Sequence, residues 1–362
     1  MIARLIVLAP FITTIPEGEQ FPIYEYEIDG YIVRFYPPVR SEKAPSVEES
    51  GVIKVDGIPA YQADAIRIDF FKETFDRRSG ELRDPPMHII QSALNSFVVR
   101  LRYVERSAQV RSINFPLTTW KLQYLNDDES ELAKAEGLTR GYGSFQLSFS
   151  WMTLNKKIWE DIHSLPFDYD PPPWEKLLLD ATGELPSVGP AIVLTMTALE
   201  VFISTVLDQM AAYKKVPPDL WSWINERDDR RQEPTLVEQY DDLLKFFTGQ
   251  SLKEDAKLWE LFKHLKDARN SFVHEGCATI GKAKEPVNVE LTQKLIGGAT
   301  EIIAKVRELL PREFHWPRFE HKVKVEALKK IRVGPPPIAH DNAAKQCSTG
   351  ESQTGVPGPV VS

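Results

Sequence analysis

Three consecutive prolines at positions 171–173, led in by Asp168, Tyr169 and Asp170, constrain this chain more than any other stretch. Proline has a fixed φ and no backbone N–H, so the run continues neither a helix nor a central strand and makes a semi-rigid spacer. The character of the chain also changes across it, from a mixture of strand and helix patterns to helix after helix. A chain of 362 residues is long for one core, so two domains and a tail are expected. The fold class is α+β. Residues 1–165 form a mixed α/β domain of unassigned role, 166–173 a linker, 174–311 an all-helical bundle, 312–332 a basic segment and 333–362 a disordered tail.

In the first half, Tyr24, Tyr26 and Ile28 alternate with polar residues, as do Tyr31, Val33 and Phe35. Asp29-Gly30 between them suits both positive-φ positions of a type I′ hairpin turn. Residues 65–71, 117–124 and 144–151 are further strands. Ile90, Ala93, Phe97, Leu101 and Val104 recur at helical spacing, so 87–104 is a helix packed on the sheet. Arg100, Arg102, Arg106 and Arg111 accompany it and read as a solvated helix end sooner than as a basic patch. The apolar run Leu5-Ile6-Val7-Leu8 stops short at Pro10, has no clear cleavage site, and reads as a first strand rather than a signal peptide.

Beyond the prolines, helices are expected at 174–181, 188–213, 218–224, 235–247, 253–275 and 288–310, with a charge-dense loop at 225–234. The 188–213 segment is apolar almost all round, which places it at a bundle centre or in a dimer interface. Glu200 is the one charge inside its apolar run, and a buried carboxylate needs a partner. Six Lys or Arg against two acids at 318–332 read as a solvated helix in preference to a nucleic-acid contact. The Pro-, Gly- and Ser-rich end at 333–362 cannot bury enough surface to offset its ordering entropy.

Composition narrows the class. With 42% hydrophobic and 27% charged residues, the chain is neither disordered throughout nor membrane-embedded, and no stretch approaches 18 apolar residues. A formal charge of -8 argues against wrapping duplex DNA by bulk electrostatics. Two cysteines, Cys277 and Cys347, make no disulfide framework, so a reducing, cytoplasmic setting is expected. The histidines are scattered, so no metal set is expected, and no cofactor either.

One stretch concentrates chemistry: Ala268-Arg269-Asn270-Ser271-Phe272-Val273-His274-Glu275-Gly276. Leu258, Phe262, Leu265 and Phe272 follow a four-three pattern, Leu261 and Ala268 widen the stripe, and Arg269 falls on the same seam. A guanidinium at the edge of an apolar face calls for an anion, either a carboxylate such as Glu200 or a substrate phosphate. Arg269 and His274 lie about 140° apart around a regular helix, whereas Asn270 and His274 share a face. Arg269 and His274 therefore serve one substrate only if the helix ends near Gly276 and His274 swings, or if two chains contribute. The similar spacing from Arg83 to His88 is interrupted by Pro85 and Pro86 and carries nothing. His264 reads as a surface residue. The competing reading makes His274 a C-terminal dipole partner and Arg269 a structural ion-pair residue.

Arg269-Asn270, three residues and then His274, on the penultimate helix of an all-helical half, resembles the Arg-x4-6-His signature of the HEPN superfamily. The stretch 194–207 with Thr197-Ala198-Leu199-Glu200 resembles a long core helix of that family, and the likeness spans roughly 172–310. The resemblance implies a homodimer with facing motif helices and metal-independent endoribonuclease activity on RNA in defence or toxin–antitoxin systems. Some members have instead lost activity. Arg269 and His274 would be the catalytic pair and Asn270 a supporting residue, with Glu200 added from burial. The alternative is an inactive interaction module that binds a protein partner, such as an antitoxin, or a nucleotide, with no membrane involved.

Overall fold

The computed structural model describes residues 2–40, 53–71, 84–110, 112–115, 117–130, 151–225, 233–321 and 325–327. The tail at 333–362, Cys347, Arg83, Arg111, nearly all of the 144–151 strand and most of the 225–234 loop lie outside them. Two hydrophobic cores fill the described chain, one sheet-based and one helical, in keeping with an α+β class.

The first is built on β1 (Ile2–Pro16) and β5 (Ile58–Phe71), paired antiparallel along most of their length. The pairing slips between Leu8 and Thr13, and Pro10, which cannot donate to a ladder, sits inside that irregularity. Hairpin strands β2 (Tyr24–Ile28) and β3 (Tyr31–Phe35) meet through Asp29 at φ 47° and Gly30 at φ 77°, as the Asp-Gly pair predicts. β3 pairs with β5, β4 (Ile53–Val55) extends it, β6 (Trp120–Leu125) flanks β1, and short β7 (Trp151–Thr153) runs parallel to β1. Helix α1 (Met87–Val104) lies where its spacing places it, burying Ile90, Ala93, Phe97 and Leu101.

Two features of this half were not anticipated. Helix α2 (Lys156–Ser164), capped by the Asn155 side chain accepting from the Ile158 N–H at 2.9 Å, buries Ile158, Trp159 and Ile162 completely. The arginines of α1 are also no solvated helix end. Arg100 is 0% exposed, Arg102 pairs with Asp180 at 2.6 Å, and Arg106 pairs with the buried Glu175 at 3.0 Å. Position 100 faces the same side as Phe97 and Leu101, so the long aliphatic stem of the arginine is carried into the core with them.

The proline run begins a new core but is not a free spacer. Pro171 is buried, Tyr169 packs on Tyr103 with ring centroids 5.2 Å apart, and Pro173 opens α3 (Pro173–Gly183) at its first position. Helix α4 (Val188–Tyr213) runs through the centre of the second core against α3, α8 (Ala256–Glu275) and α9 (Val289–Leu309). It is long and apolar enough by length and composition to cross a membrane, more than the sequence reading allowed, and 56% of its most apolar window is buried inside the fold. Helix α5 (Pro218–Asn225) buries no residue. α6 (Leu236–Glu238) and α7 (Leu244–Thr248) are joined through a π-helical turn, Gln239–Leu243.

Residues 318–321 and 325–327, the described part of the stretch read as a solvated helix, are not helical. A single 3-10 turn, Arg312–Phe314, leads into extended chain, and β10 (Val325–Ala327) pairs with β4 at the sheet edge. Trp316 packs on both cores, lies 5.1 Å from Trp174, and accepts at its carbonyl from Arg307 Nη2 at 3.0 Å. The aromatic residues Phe314, Trp316 and Phe319 find burial across the junction, which the charge count conceals.

Close helix packing depends on Gly189. A Cβ there would lie 2.0 Å from the Phe272 ring of α8. Gly189→Ala is therefore expected to destabilise the fold by about 1–3 kcal/mol, the usual cost of overpacking. Adding Phe272→Ala should recover part of that loss, and urea unfolding of the single and double variants checks both.

Candidate functional site

The C-terminal end of α8 carries the candidate residues. Asp255 caps its start by accepting from the Leu258 N–H at 3.1 Å, and Leu258, Leu261, Phe262, Leu265 and Ala268 are buried as the spacing predicts, while Phe272 of the same seam is half-buried. Gly276 ends the helix in the left-handed region at φ 76°, its N–H donating to the Phe272 carbonyl at 2.9 Å. A hairpin of β8 (Thr279–Ile280) and β9 (Glu285–Pro286) then folds back along the helix. Ser271 ties the two together, its Oγ accepting from the Thr279 N–H at 2.7 Å, and Lys284 reaches the Glu275 carboxylate at 2.9 Å. The helical repeat is therefore held through Glu275.

This settles the geometric condition set by the sequence. His274 does not swing free of the helix: it stands in the last turn, exposed to solvent. Arg269 is half-buried one and a half turns earlier, about 7.5 Å away along the axis and about 140° around it. One chain does not bring the two side chains to a common point.

The Arg269 guanidinium makes one side-chain hydrogen bond among the described residues. Its Nη1 donates to Asn270 Oδ1 at 3.3 Å, a long bond to a neutral acceptor. Among the described residues no carboxylate lies within 4.0 Å of it. Glu200 on α4 is half-buried rather than enclosed. Burial raises its pKa above the ordinary carboxylate value, against a smaller downward pull from the Arg269 charge. Glu200 on α4 and Arg269 on α8 thus feel each other without closing an ion pair. Asn270 turns towards Arg269, not His274, and His264 is partly exposed with Glu260 at 3.9 Å.

Tyr240 is the neighbour that sequence reasoning missed. The π turn aims its ring into the core against Phe262, and its hydroxyl donates to the Leu199 carbonyl at 2.9 Å, one residue before Glu200. Burial, and then the Glu200 charge, hold that phenol well above its usual pKa, so it stays protonated. An extra residue in a helical turn has no signature in apolar spacing, so nothing in the residue pattern announces it. Among the described residues, no cluster of three or more His, Cys, Asp or Glu is placed to hold a metal. Comparison with family models, curated proteins and solved structures finds no match.

Proposed function

We propose that the helical half is a metal-independent endoribonuclease module, active as a homodimer in which Arg269 of one copy and His274 of the other act on the same phosphodiester. One observation carries the reading: a half-buried guanidinium with only a neutral amide for acceptor shares a helix end with an exposed imidazole. The resemblance of Arg269-Asn270-x3-His274 to the HEPN signature supports it. A second copy supplies what the 140° offset withholds, and Val273, 52% exposed between the two, gives an apolar surface for that contact.

The chemistry is balanced without a further reactant. His274 takes the proton of the RNA 2′-hydroxyl, the 2′-oxygen attacks phosphorus, and the bond to the 5′-oxygen breaks. The leaving 5′-oxygen takes a proton from water while the protonated His274 returns its own to solvent, giving a 2′,3′-cyclic phosphate and a 5′-hydroxyl. Arg269 places a planar, permanently charged fork on the phosphate oxygens as charge builds there. Asn270 orients that fork, and the Glu200 charge acts on it without direct contact. The sheet half selects the target or senses a trigger in a cytoplasmic defence or toxin-like system.

The test is incubation of the protein with structured and unstructured RNA in excess chelator. Cleavage with cyclic-phosphate ends is the expected result; intact RNA in every condition contradicts it. Sedimentation at micromolar concentration should give a species near twice the 41.2 kDa chain mass, and a lone monomer removes the shared site. A second reading rests on the separation of Arg269 from His274 within one chain: a non-catalytic module that binds a protein partner, such as an antitoxin, or a nucleotide through the same helix end. Partner binding unchanged by loss of either residue would favour it.

A further inference from the structure

The sheet core contains a charge that its own residues do not neutralise. Arg100 is 0% exposed, and a guanidinium stays protonated in proteins. Its Nη1 donates to the Tyr26 hydroxyl at 2.6 Å and its Nε to the Ser96 carbonyl at 3.2 Å, both neutral acceptors. Among the described residues no carboxylate comes within 4.0 Å of it. The rings of Tyr26, Phe167 and Phe35 lie 4.8, 5.8 and 5.9 Å from its central carbon, which eases the burial of the cation without cancelling its charge. Nη2 is buried and has no acceptor.

The same hydroxyl fixes a second donor. Having accepted from Arg100, the Tyr26 hydroxyl gives its own proton to His163 Nδ1 at 2.8 Å. The neutral imidazole then carries its hydrogen on Nε2. His163 is 8% exposed, and Nε2 is likewise buried without an acceptor. Its ring stacks on Tyr24 at 4.2 Å and meets Trp159 at 4.3 Å, so aromatic faces close the surroundings on that side as well. Arg100 and His163 thus meet at one hydroxyl among these rings, each has a further buried N–H without an acceptor, and no carboxylate within 4.0 Å offsets the Arg100 charge.

We propose that this cluster binds a small monovalent inorganic anion of the halide class, held by Arg100 Nη2 and His163 Nε2. Water would satisfy the donors but leave the charge uncompensated, and burying an unpaired charge is the costlier fault. A carboxylate or phosphate ligand would bring bulk and further lone pairs among closely packed rings. The anion therefore joins hairpin β2–β3, α1 and α2 through Tyr26, Arg100 and His163, and its binding free energy adds to the stability of the fold.

Thermal unfolding of the full chain in chloride, bromide and gluconate at matched ionic strength tests this. The unfolding midpoint should rise saturably by about 2–5 °C in either halide over gluconate, and Arg100→Met should abolish the difference. Should that variant fail to fold, crystals of the unaltered protein soaked in bromide decide: an anomalous peak is expected within hydrogen-bond distance of both Arg100 and His163. Equal midpoints in all three salts, or bromide-soaked crystals with no peak there, would overturn the assignment. Neither result bears on the α8 site.

Discussion

The proposed ribonuclease site predicts that Arg269→Ala lowers RNA cleavage by about 10²–10³-fold, the usual loss when one preorganised donor to a developing oxyanion is removed. His274→Ala lowers it by about 10²–10⁴-fold through loss of the proton-transfer group. Neither loss comes from unfolding. His274 is exposed, so its removal leaves stability within about 0.5 kcal/mol. Arg269 makes one long bond to a neutral amide and closes no ion pair, so little folding energy rests on it. Arg269→Lys keeps the charge but loses the planar fork, and activity between that of wild type and Arg269→Ala is expected. The discriminating measurement is the single-turnover cleavage rate beside the unfolding midpoint of each variant. Parallel falls in both quantities would assign these residues to the scaffold.

The largest stability effect lies elsewhere, at Glu105, the residue that ends α1. Its carboxyl is mostly buried, Oε1 has no hydrogen-bond partner, and burial pushes its pKa up from the usual 4.5 to about 7. The raised folded-state value means the native state holds this proton more tightly than the unfolded chain. Its contribution is fully present below about pH 4.5 and is lost as pH rises through about 7. Glu105→Gln removes the ionisation, so the variant should gain about 2–3 kcal/mol over wild type at pH 8 and nothing at pH 4.5. Urea unfolding of both proteins across that range checks it, and identical pH profiles would refute the burial argument.

What was legible in the sequence is what local rules govern. Asp29-Gly30 specified its turn because only such a pair tolerates two positive φ angles in succession. Helices α1 and α4 were delimited correctly because their apolar spacing runs unbroken between a proline or serine and the next change of pattern. The seam of α8 and its stop at Gly276 were readable for the same reason. Long-range pairing was not. Arg100 looked like a surface charge because its partner Tyr26 stands 74 positions away, and the charges at 318–332 masked the aromatic residues that seal the junction. At the candidate site the residue types and the 140° offset were visible, and so was the need for either a loose helix end or a second chain. The fold removes the first of these: Ser271, the hairpin and Gly276 together hold His274 in its helical place.

The most direct test is subunit mixing. Arg269→Ala and His274→Ala proteins, each inactive alone, are unfolded and refolded together so that mixed dimers form. A site built across two copies regains one intact arginine–histidine pair in every mixed dimer, so metal-free RNA cleavage should return to about half the wild-type rate per mixed dimer. A mixture as inactive as its components, with mixed dimers demonstrably present, would contradict a site shared between Arg269 of one chain and His274 of another.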